Sequence, residues 1–194
     1  MGSWFGTAGD VVVAVVAGYL IGSVPVANFV ARRGGAGDLR DVGDRNPGYW
    51  NAKTTLGRRA AVPVFVGDVA KGAAAAVIGL VLADPGVWGV AYVATGAAMV
   101  GHAFPLFAGF QGGRSVLTFV GGAAVYAPPA ALCALGVLAV VMLVTRSFAW
   151  SARAAIVAFP IAQLVIDGPY RTAATGVLMT FIGLRFLTAT RSAA

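Results

Sequence analysis

The segment VVVAVVAGYLIGSVPVANFVA, residues 11–31, decides the fold class of this chain. It carries no charged side chain, and a helix that crosses a membrane needs about 20 mostly apolar residues. The preceding residues, MGSWFGTAGD, lack the basic start of a signal peptide. We therefore expect residues 11–31 to be retained as a membrane helix.

Composition extends this interpretation to the whole chain. Of its 194 residues, 59% are hydrophobic and only 11% are charged, whereas a soluble domain carries about 25% charged residues. The net charge of +7 does not indicate nucleic-acid binding, because apolar runs separate the basic residues. The single cysteine, Cys133, allows no intrachain disulfide and no cysteine-based metal site. The sequence predicts an all-α integral membrane protein, a single polytopic membrane domain over residues 1–194, with no cofactor, no metal and no nucleic-acid partner.

Seven apolar segments are candidates for membrane-spanning helices. They cover residues 11–31, 60–83, 87–107, 115–127, 130–145, 154–166 and 173–187. The turn DPG separates the second segment from the third, and a Pro-Pro pair separates the fourth from the fifth. Several of these segments are shorter than the usual 17 to 25 residues, so the count depends on where the charges lie.

Basic residues fall almost entirely in alternate loops. With the N-terminus outside, twelve of them lie on the cytoplasmic side: Arg32, Arg33, Arg40, Arg45, Lys53, Arg58, Arg59, Arg114, Arg146, Arg153, Arg185 and Arg191. Only Arg171 lies in a loop on the opposite side. Because cytoplasmic loops carry an excess of Lys and Arg, this asymmetry predicts seven transmembrane helices, with the N-terminus outside and the C-terminus cytoplasmic.

Two glycine-rich stretches lie on the predicted cytoplasmic side. The first loop, RRGGAGDLRDVGDRNPGYWNAKTTLGRR at residues 32–59, is far longer than a connector between helices needs. The second stretch is AGFQGGRS at residues 108–115. Glycines let backbone N–H groups converge on an anion, which favours a phosphate site. Taken alone, however, the first is more typical of a solvated basic loop and the second of a tight turn. The second is not a P-loop, since it follows a membrane helix rather than a strand.

Three ionisable residues lie inside the apolar segments. Asp68 and Lys71 are three residues apart in the second segment, and His102 lies late in the third. Charges in a membrane helix either mark a functional site or pair with each other, and the sequence leaves both hypotheses open. His102 has the chemistry of an acid or base near neutral pH. With no paired carboxylate evident from the sequence, a hydrogen bond between helices is the better interpretation of His102.

Four stretches together resemble one known family. They are GYLIGSVPVANFVA, GAGDLRDVGDRNPGYWNAKTTLG, GDVAKG and VGHAFPLFAGFQGGRSVLTFVGG, between about residues 18 and 122. Their order and spacing are similar to those of the bacterial acyl-phosphate-dependent glycerol-3-phosphate acyltransferases, the PlsY family. That family reads roughly Gly-Ser-x-Pro, Asp-x-Arg-x-x-Gly-Ser-Gly-Asn-x-Gly-Ala-Thr-Asn, Asp-x-x-Lys-Gly, and Gly-His-x-x-Pro followed by Phe-x-Gly-Gly-Lys-Gly. Its seven helices and outside N-terminus agree with the topology predicted above.

The resemblance implies an acyltransferase of phospholipid biosynthesis in the bacterial inner membrane, with its active face cytoplasmic. It would transfer a fatty acyl group from acyl phosphate to the 1-hydroxyl of glycerol 3-phosphate, giving lysophosphatidate and phosphate; membrane lipids are its other partners. The implied catalytic residues are Arg45, Asn46, Asn51 and His102. The implied phosphate-binding residues are Arg40, Gly48, Lys53, Lys71, Gly112, Gly113 and Arg114.

Several positions depart from the family pattern. They are Asp44, Tyr49, Trp50, Thr54, Gln111, Phe186 and Ala189, together with Arg114-Ser115 in place of Lys-Gly. The bulk of Tyr49 and Trp50 is expected to crowd a phosphate site, and the charge of Asp44 to repel an anion. An alternative hypothesis is therefore a catalytically silent or re-purposed homologue that binds lipid phosphates or a membrane partner. A small transporter is less favoured, because the charges cluster at one end of the spans and no inverted repeat is evident.

Overall fold

The computed structural model of the protein describes the backbone of residues 4–191 and the side chains of residues 4–188. Two side chains named above lie outside the described part: Ala189, a departure from the family pattern, and Arg191, one of the predicted cytoplasmic cations. Within residues 4–191 the chain forms nine α-helices and no β-strand, which confirms the all-α prediction. The helices are α1 (Ala8–Gly22), α2 (Val26–Arg33), α3 (Tyr49–Leu56), α4 (Arg58–Leu82), α5 (Gly89–Ala103), α6 (Val116–Tyr126), α7 (Pro128–Thr145), α8 (Phe148–Asp167) and α9 (Pro169–Arg191).

The first predicted span is one apolar segment, Ala8–Arg33, that breaks into α1 and α2. The helix α1 begins with a capping box, in which Thr7 and Asp10 satisfy each other's backbone N–H groups. It ends because Pro25 has no N–H to continue the helical ladder. The Ser23 hydroxyl donates to the Tyr19 carbonyl, 2.8 Å away, at the break. The break lets α2 continue at a different angle, towards the long first loop.

Five segments are long and apolar enough to cross a membrane by length and composition. They are Ala8–Arg33, Arg58–Leu82, Gly89–Ala108, Pro128–Thr145 and Phe148–Asp167. The fourth predicted span corresponds to α6, which is a shorter apolar helix of 11 residues. The seventh corresponds to α9, which is 23 residues long but is not among the five. Five segments of the chain are therefore suited to cross a membrane, and crossings by α6 and α9 stay predictions.

Small residues let the central helices pack almost backbone to backbone. A Cβ atom at Gly22 of α1 would overlap the Ala98 carbonyl of α5. A Cβ at Gly72 of α4 would likewise overlap the Thr118 carbonyl of α6, and one at Gly121 the Val69 carbonyl of α4. Membrane helices associate through such close contacts, since lipid offers no hydrophobic driving force between them. The result is a tight core of α1, α4, α5 and α6.

Two connecting segments meet at one end of this core. One is residues 34–48, the part of the first loop that precedes α3. The other is the glycine-rich loop, residues 104–115, between α5 and α6. The first loop and α3 are held on α4 by a small apolar cluster that includes Leu39, Ala52 and Val64, all fully buried. Every residue predicted to be functional lies at this end of the bundle.

Candidate functional site

A buried ionic cluster joins α4 to α5 beneath the two loops. Lys71 Nζ lies 3.0 Å from Asp68 Oδ1 and 3.3 Å from His102 Nδ1. His102 Nδ1 lies 3.5 Å from the same carboxylate oxygen. The three side chains are 3% to 8% exposed. Buried charges persist only when they are paired and hydrogen-bonded. The ion pair between Asp68 and Lys71 is therefore present, and both residues line the pocket described below; their functional role stays a prediction.

The position of Lys71 favours one tautomer of His102. An ammonium group has no lone pair, so it can only donate to a ring nitrogen. When Nδ1 accepts from Lys71, the proton of the neutral imidazole lies on Nε2. The Nε2 atom faces Gly113, where an added Cβ would overlap it. His102 is thus oriented as a hydrogen-bond donor towards the glycine-rich loop.

The two glycines of that loop lie directly over the end of α5. The Gly113 amide donates to the His102 carbonyl, 3.1 Å away, and the Gly112 amide donates to the Ala103 carbonyl, 3.0 Å away. A Cβ at Gly112 would overlap the His102 carbonyl. Glycine is required here for close approach of two backbone segments. Both amides are already hydrogen-bonded within the chain, a detail that the sequence motif did not reveal.

Arg40 connects the first loop to the glycine-rich loop. Its Nε donates to Asp38 Oδ1 at 2.9 Å, its Nη2 contacts Asp38 Oδ2, and its Nη1 donates to the Ala108 carbonyl at 2.7 Å. These hydrogen bonds lower the pKa of the Asp38 carboxyl and raise the pKa of Arg40. Both groups are therefore firmly charged, and the guanidinium is fixed in place by two partners.

Asn51 holds the first loop in shape. Its side-chain amide is fully buried and donates to the carbonyls of Leu39, at 2.8 Å, and Val42, at 2.9 Å. Its Oδ1 accepts from the Thr55 hydroxyl at 3.2 Å. Gly43, with a φ of 61°, passes so close that a Cβ would overlap Asn51 Oδ1. All polar atoms of this side chain are engaged inside the loop.

Arg114 forms an ion pair with Asp44, the residue that was expected to repel an anion. Its Nη1 lies 3.2 Å from Asp44 Oδ2, which joins positions 70 residues apart in the chain. The guanidinium also lies over the Phe186 ring, 4.7 Å from its centroid. The Asp44 charge is therefore neutralised by Arg114 in this structure. Such a contact between distant residues leaves no signal in the sequence.

A narrow pocket opens between these elements. Four of the predicted site residues line it: Lys71, His102, Gly112 and Gly113. Pro47, Gln111 and Asn28 line it too, and Asn28 was not predicted. Asn28 is 5% exposed, and no described residue pairs with its Oδ1. The space that the centre of a water molecule can reach is about 20 Å³, which is room for about one water. The only sequence signal for Asn28 was a polar residue on a largely apolar helix.

The remaining predicted residues do not line the pocket: Arg114 follows Gly113 in the glycine-rich loop, and the others belong to the first loop. Within the described residues, the exposed Arg45 guanidinium has no hydrogen-bond or ion-pair partner, and Lys53 Nζ lies over the Trp50 ring, 4.6 Å from its centroid. The backbone N–H of Asn46 donates to Asp44 Oδ1 at 3.2 Å, which closes a local turn. Gly48 is the N-cap of α3.

Tyr49 and Trp50 pack away from the pocket. The Tyr49 ring meets Phe65 of α4 edge to face, with 5.5 Å between centroids. The Trp50 ring stacks on Phe148 at the start of α8, with 6.1 Å between centroids. Neither residue lines the pocket. The expected crowding of the site by these two side chains is therefore absent.

Arg185 of α9 is a site residue that the prediction did not include. Its guanidinium donates to the Gly113 carbonyl at 3.4 Å and to the Gly112 carbonyl at 3.3 Å. It also lies over the Phe104 ring, 4.7 Å from its centroid. The last helix is thus tied to the glycine-rich loop. The sequence signal was an arginine in an otherwise apolar segment.

Comparison with known proteins identifies the family. The family model described as glycerol-3-phosphate acyltransferase matches residues 12–192 of the chain. The chain belongs to the glycerol-3-phosphate acyltransferase family. A relative from Synechococcus sp. of this name is 38% identical over 156 residues, which covers 80% of this chain and 75% of the relative. Another from Rhizobium etli is 34% identical over 181 residues, covering 93% of this chain and 85% of the relative. The resemblance noted from the sequence motifs is confirmed.

Solved structures of the same family share the fold. The glycerol 3-phosphate form of PlsY, an integral membrane glycerol 3-phosphate acyltransferase, matches with a TM-score of 0.79 at 27% identity, covering 93% of this chain and 90% of that chain. Its lysophosphatidic acid form matches with a TM-score of 0.74 at 25% identity, covering 90% of this chain and 87% of that chain. This chain is accordingly an integral membrane protein of the acyltransferase family.

Proposed function

We propose that this chain transfers a fatty acyl group from acyl phosphate to the 1-hydroxyl of glycerol 3-phosphate in phospholipid biosynthesis. The bond between the acyl carbon and the phosphate oxygen breaks, and an ester bond to the glycerol oxygen forms. Lysophosphatidate and inorganic phosphate are the products, and the hydroxyl proton leaves with the phosphate or the solvent. The observation that carries the proposal is the convergence of Lys71, His102 and the glycine-rich loop on one pocket, in a chain of this family.

The chemistry of the pocket suits two phosphate-bearing substrates. Acyl phosphate is already activated, so the protein need not supply a covalent nucleophile. Cations and oriented donors around the pocket bind the substrates and stabilise charge that develops in the transition state. Lys71 and Arg114 supply positive charge, and His102 Nε2–H supplies a donor aimed at the loop. We assign these three residues to direct contact with substrate.

Other predicted residues hold the site in shape or lie at its approach. Arg40 and Asn51 position the first loop through the hydrogen bonds described above, and Gly48 begins α3. Arg45 and Lys53 lie on the outer side of that loop, where exposed cations attract anionic substrates. Asn46 closes the turn at residues 44–46, directly before Pro47, which lines the pocket.

We further propose that the chain crosses a bacterial inner membrane seven times, with the N-terminus outside and the C-terminus and active face cytoplasmic. The five long apolar segments, with α6 and α9, make up the seven crossings. The excess of basic residues in alternate loops supports this orientation. Acyl phosphate then reaches the pocket from the bilayer, and glycerol 3-phosphate from the cytoplasm.

An assay of the purified full chain in lipid nanodiscs tests the function. With acyl phosphate and glycerol 3-phosphate, we expect lysophosphatidate, detected by mass spectrometry, and an equal amount of inorganic phosphate. Replacing Arg114 by Ala removes a charge-stabilising donor, so turnover should fall by about 10²- to 10³-fold. Arg59→Gln, an exposed cation outside the site, is the control and should retain turnover. Binding of substrate by the wild type without any product would instead support the silent homologue.

A further inference from the structure

Each of three cations at the pocket end of the bundle is paired with an aspartate. The pairs are Arg40 with Asp38, Lys71 with Asp68, and Arg114 with Asp44. The three aspartates differ in exposure: the side chain of Asp68 is 3% exposed and that of Asp38 is 15% exposed, whereas that of Asp44 is 36% exposed.

Exposure decides which of these pairs can open. Removing one partner of a buried pair leaves an uncompensated charge, which is strongly destabilising, so Lys71 remains bound to Asp68. A solvated pair contributes little, because water replaces each partner. Asp44 can turn into solvent without burying its charge. Arg114 is therefore the cation that the structure can release.

The contact between Arg114 and Asp44 also joins the two loops that flank the pocket. Asp44 belongs to the first loop, and Arg114 directly follows Gly113 in the glycine-rich loop. The two loops are tethered there and, elsewhere, by Arg40 and the Ala108 carbonyl. Gly112 and Gly113, which line the pocket, directly precede Arg114. The tether therefore lies next to the pocket.

The surroundings of Arg114 prepare it to receive an anion. Its guanidinium lies over the Phe186 ring, and no described residue pairs with its buried Nε. The Arg185 guanidinium donates to the carbonyls of Gly112 and Gly113, the two residues that precede Arg114. A phosphate monoester carries about −1.5 to −2 charges at pH 7, so it attracts the Arg114 guanidinium more strongly than the single charge of Asp44 does.

We propose that Asp44 is a built-in competitor for substrate: its carboxylate holds the Arg114 guanidinium until the phosphate of a dianionic substrate displaces it. This inference rests on the proposed function, since it assigns Arg114 to a substrate phosphate. Displacement also releases the tether between the two loops. Asp44 is then a specificity-determining residue, which disfavours monoanions that carry too little charge to replace it.

Binding of inorganic phosphate to the full chain in nanodiscs, measured by titration calorimetry without any second substrate, tests the proposal. Asp44→Asn and Asp44→Ser should each tighten phosphate binding by about two- to tenfold, because no ion pair has to be broken. Asp41→Asn is the matched control: it removes the same charge from an exposed site in the same loop and should change the affinity less than twofold. In an Arg114→Gln background, Asp44→Asn should have no effect.

The outcomes separate this inference from the proposed function. Phosphate binding needs no acyl transfer, so the expected pattern in a chain without turnover would support the competitor and reject the acyltransferase. Turnover combined with unchanged or weaker phosphate binding by both Asp44 variants would overturn the competitor alone. An equal gain in Asp41→Asn would also overturn it, since net charge would then explain the effect. In active protein, the KM for glycerol 3-phosphate should fall in Asp44→Asn and stay unchanged in Asp41→Asn.

Discussion

At the scale of single residues, Ser115 combines a strained backbone with a buried hydrogen bond. It has a φ of 63° and a ψ of 13°, in the left-handed region, and it is 1% exposed. Its hydroxyl donates to the Met99 carbonyl at 2.7 Å. A non-glycine residue in this region costs roughly 1 to 2 kcal/mol, and a hydrogen bond contributes about 1 kcal/mol. The two effects nearly cancel, which explains how serine is tolerated there.

Substitutions at Ser115 separate these effects. Ser115→Ala keeps the strain and loses the hydrogen bond, so it should be less stable than wild type by about 1 to 2 kcal/mol. Ser115→Gly loses the same bond but relieves the strain, so it should stay within about 1 kcal/mol of wild type. Thermal unfolding in detergent should therefore give a higher Tm for the Gly variant than for the Ala variant. Equal values would show that the backbone at this position is unstrained.

Residue chemistry alone predicted little of the site. It left the pairing of Lys71 with Asp68 and a functional role for both as open alternatives, and only the resemblance implied that Gly112 and Gly113 bind phosphate. The partner of Arg114 did not follow, because Asp44 is 70 residues away in sequence. Similarly, the sequence placed Gly112 and Gly113 at the pocket, but it gave no indication that nearby carbonyls already occupy their amides.

At the scale of helices, close packing between α4 and α6 depends on glycine. A Cβ at Gly72 would lie 2.7 Å from the Thr118 carbonyl carbon and 2.9 Å from the Gly122 nitrogen, both backbone atoms that cannot rotate away. Gly72→Ala should therefore lower stability by about 1 to 3 kcal/mol through overpacking. Gly136→Ala in α7 is the matched control, since no atom lies within 4 Å of its added Cβ. That variant should be neutral or more stable, by up to about 1 kcal/mol. Loss of monodisperse protein on heating measures both, and a similar loss in the two variants would contradict the packing argument.

The sequence predicted helices better than it predicted their ends. Each of the seven predicted apolar segments contains a helix, because lipid requires a backbone that is satisfied within each segment. The helix α3, within the first loop, was not predicted. The same criterion did not show that the first segment bends at Pro25 into α2. It also did not show that Tyr49 and Trp50 turn towards Phe65 and Phe148. Side-chain direction at a loop depends on which neighbours the tertiary fold provides, and the linear sequence does not give them.

At the scale of the whole molecule, the described structure concentrates polar chemistry at one end of an apolar bundle. The core helices α4 and α5 carry the buried ionic cluster, while α7 and α8 expose most of their apolar surface. The helix α9 contributes Arg185 to the glycine-rich loop. We expect this arrangement to place the pocket where anions from water and lipid chains from the bilayer can both reach it. The orientation of the bundle in the membrane then determines which compartment supplies the anion.

The number of crossings before residue 147 has a decisive consequence for that orientation. If α6 crosses, the first loop and the short connection at Ser147 lie on the same side of the membrane. If α6, at 11 residues, does not cross, they lie on opposite sides.

After Cys133→Ala, single cysteines at Asp41, Asp84 and Ser147 can be tested with a membrane-impermeant maleimide on spheroplasts. We expect Asp84→Cys to react in intact spheroplasts, and Asp41→Cys and Ser147→Cys to react only after permeabilisation. Reaction of Ser147→Cys from outside, with Asp41→Cys still protected, would mean that α6 is a re-entrant helix. Arg146 and Arg153 would then lie outside, against the preference of basic residues for the cytoplasmic side.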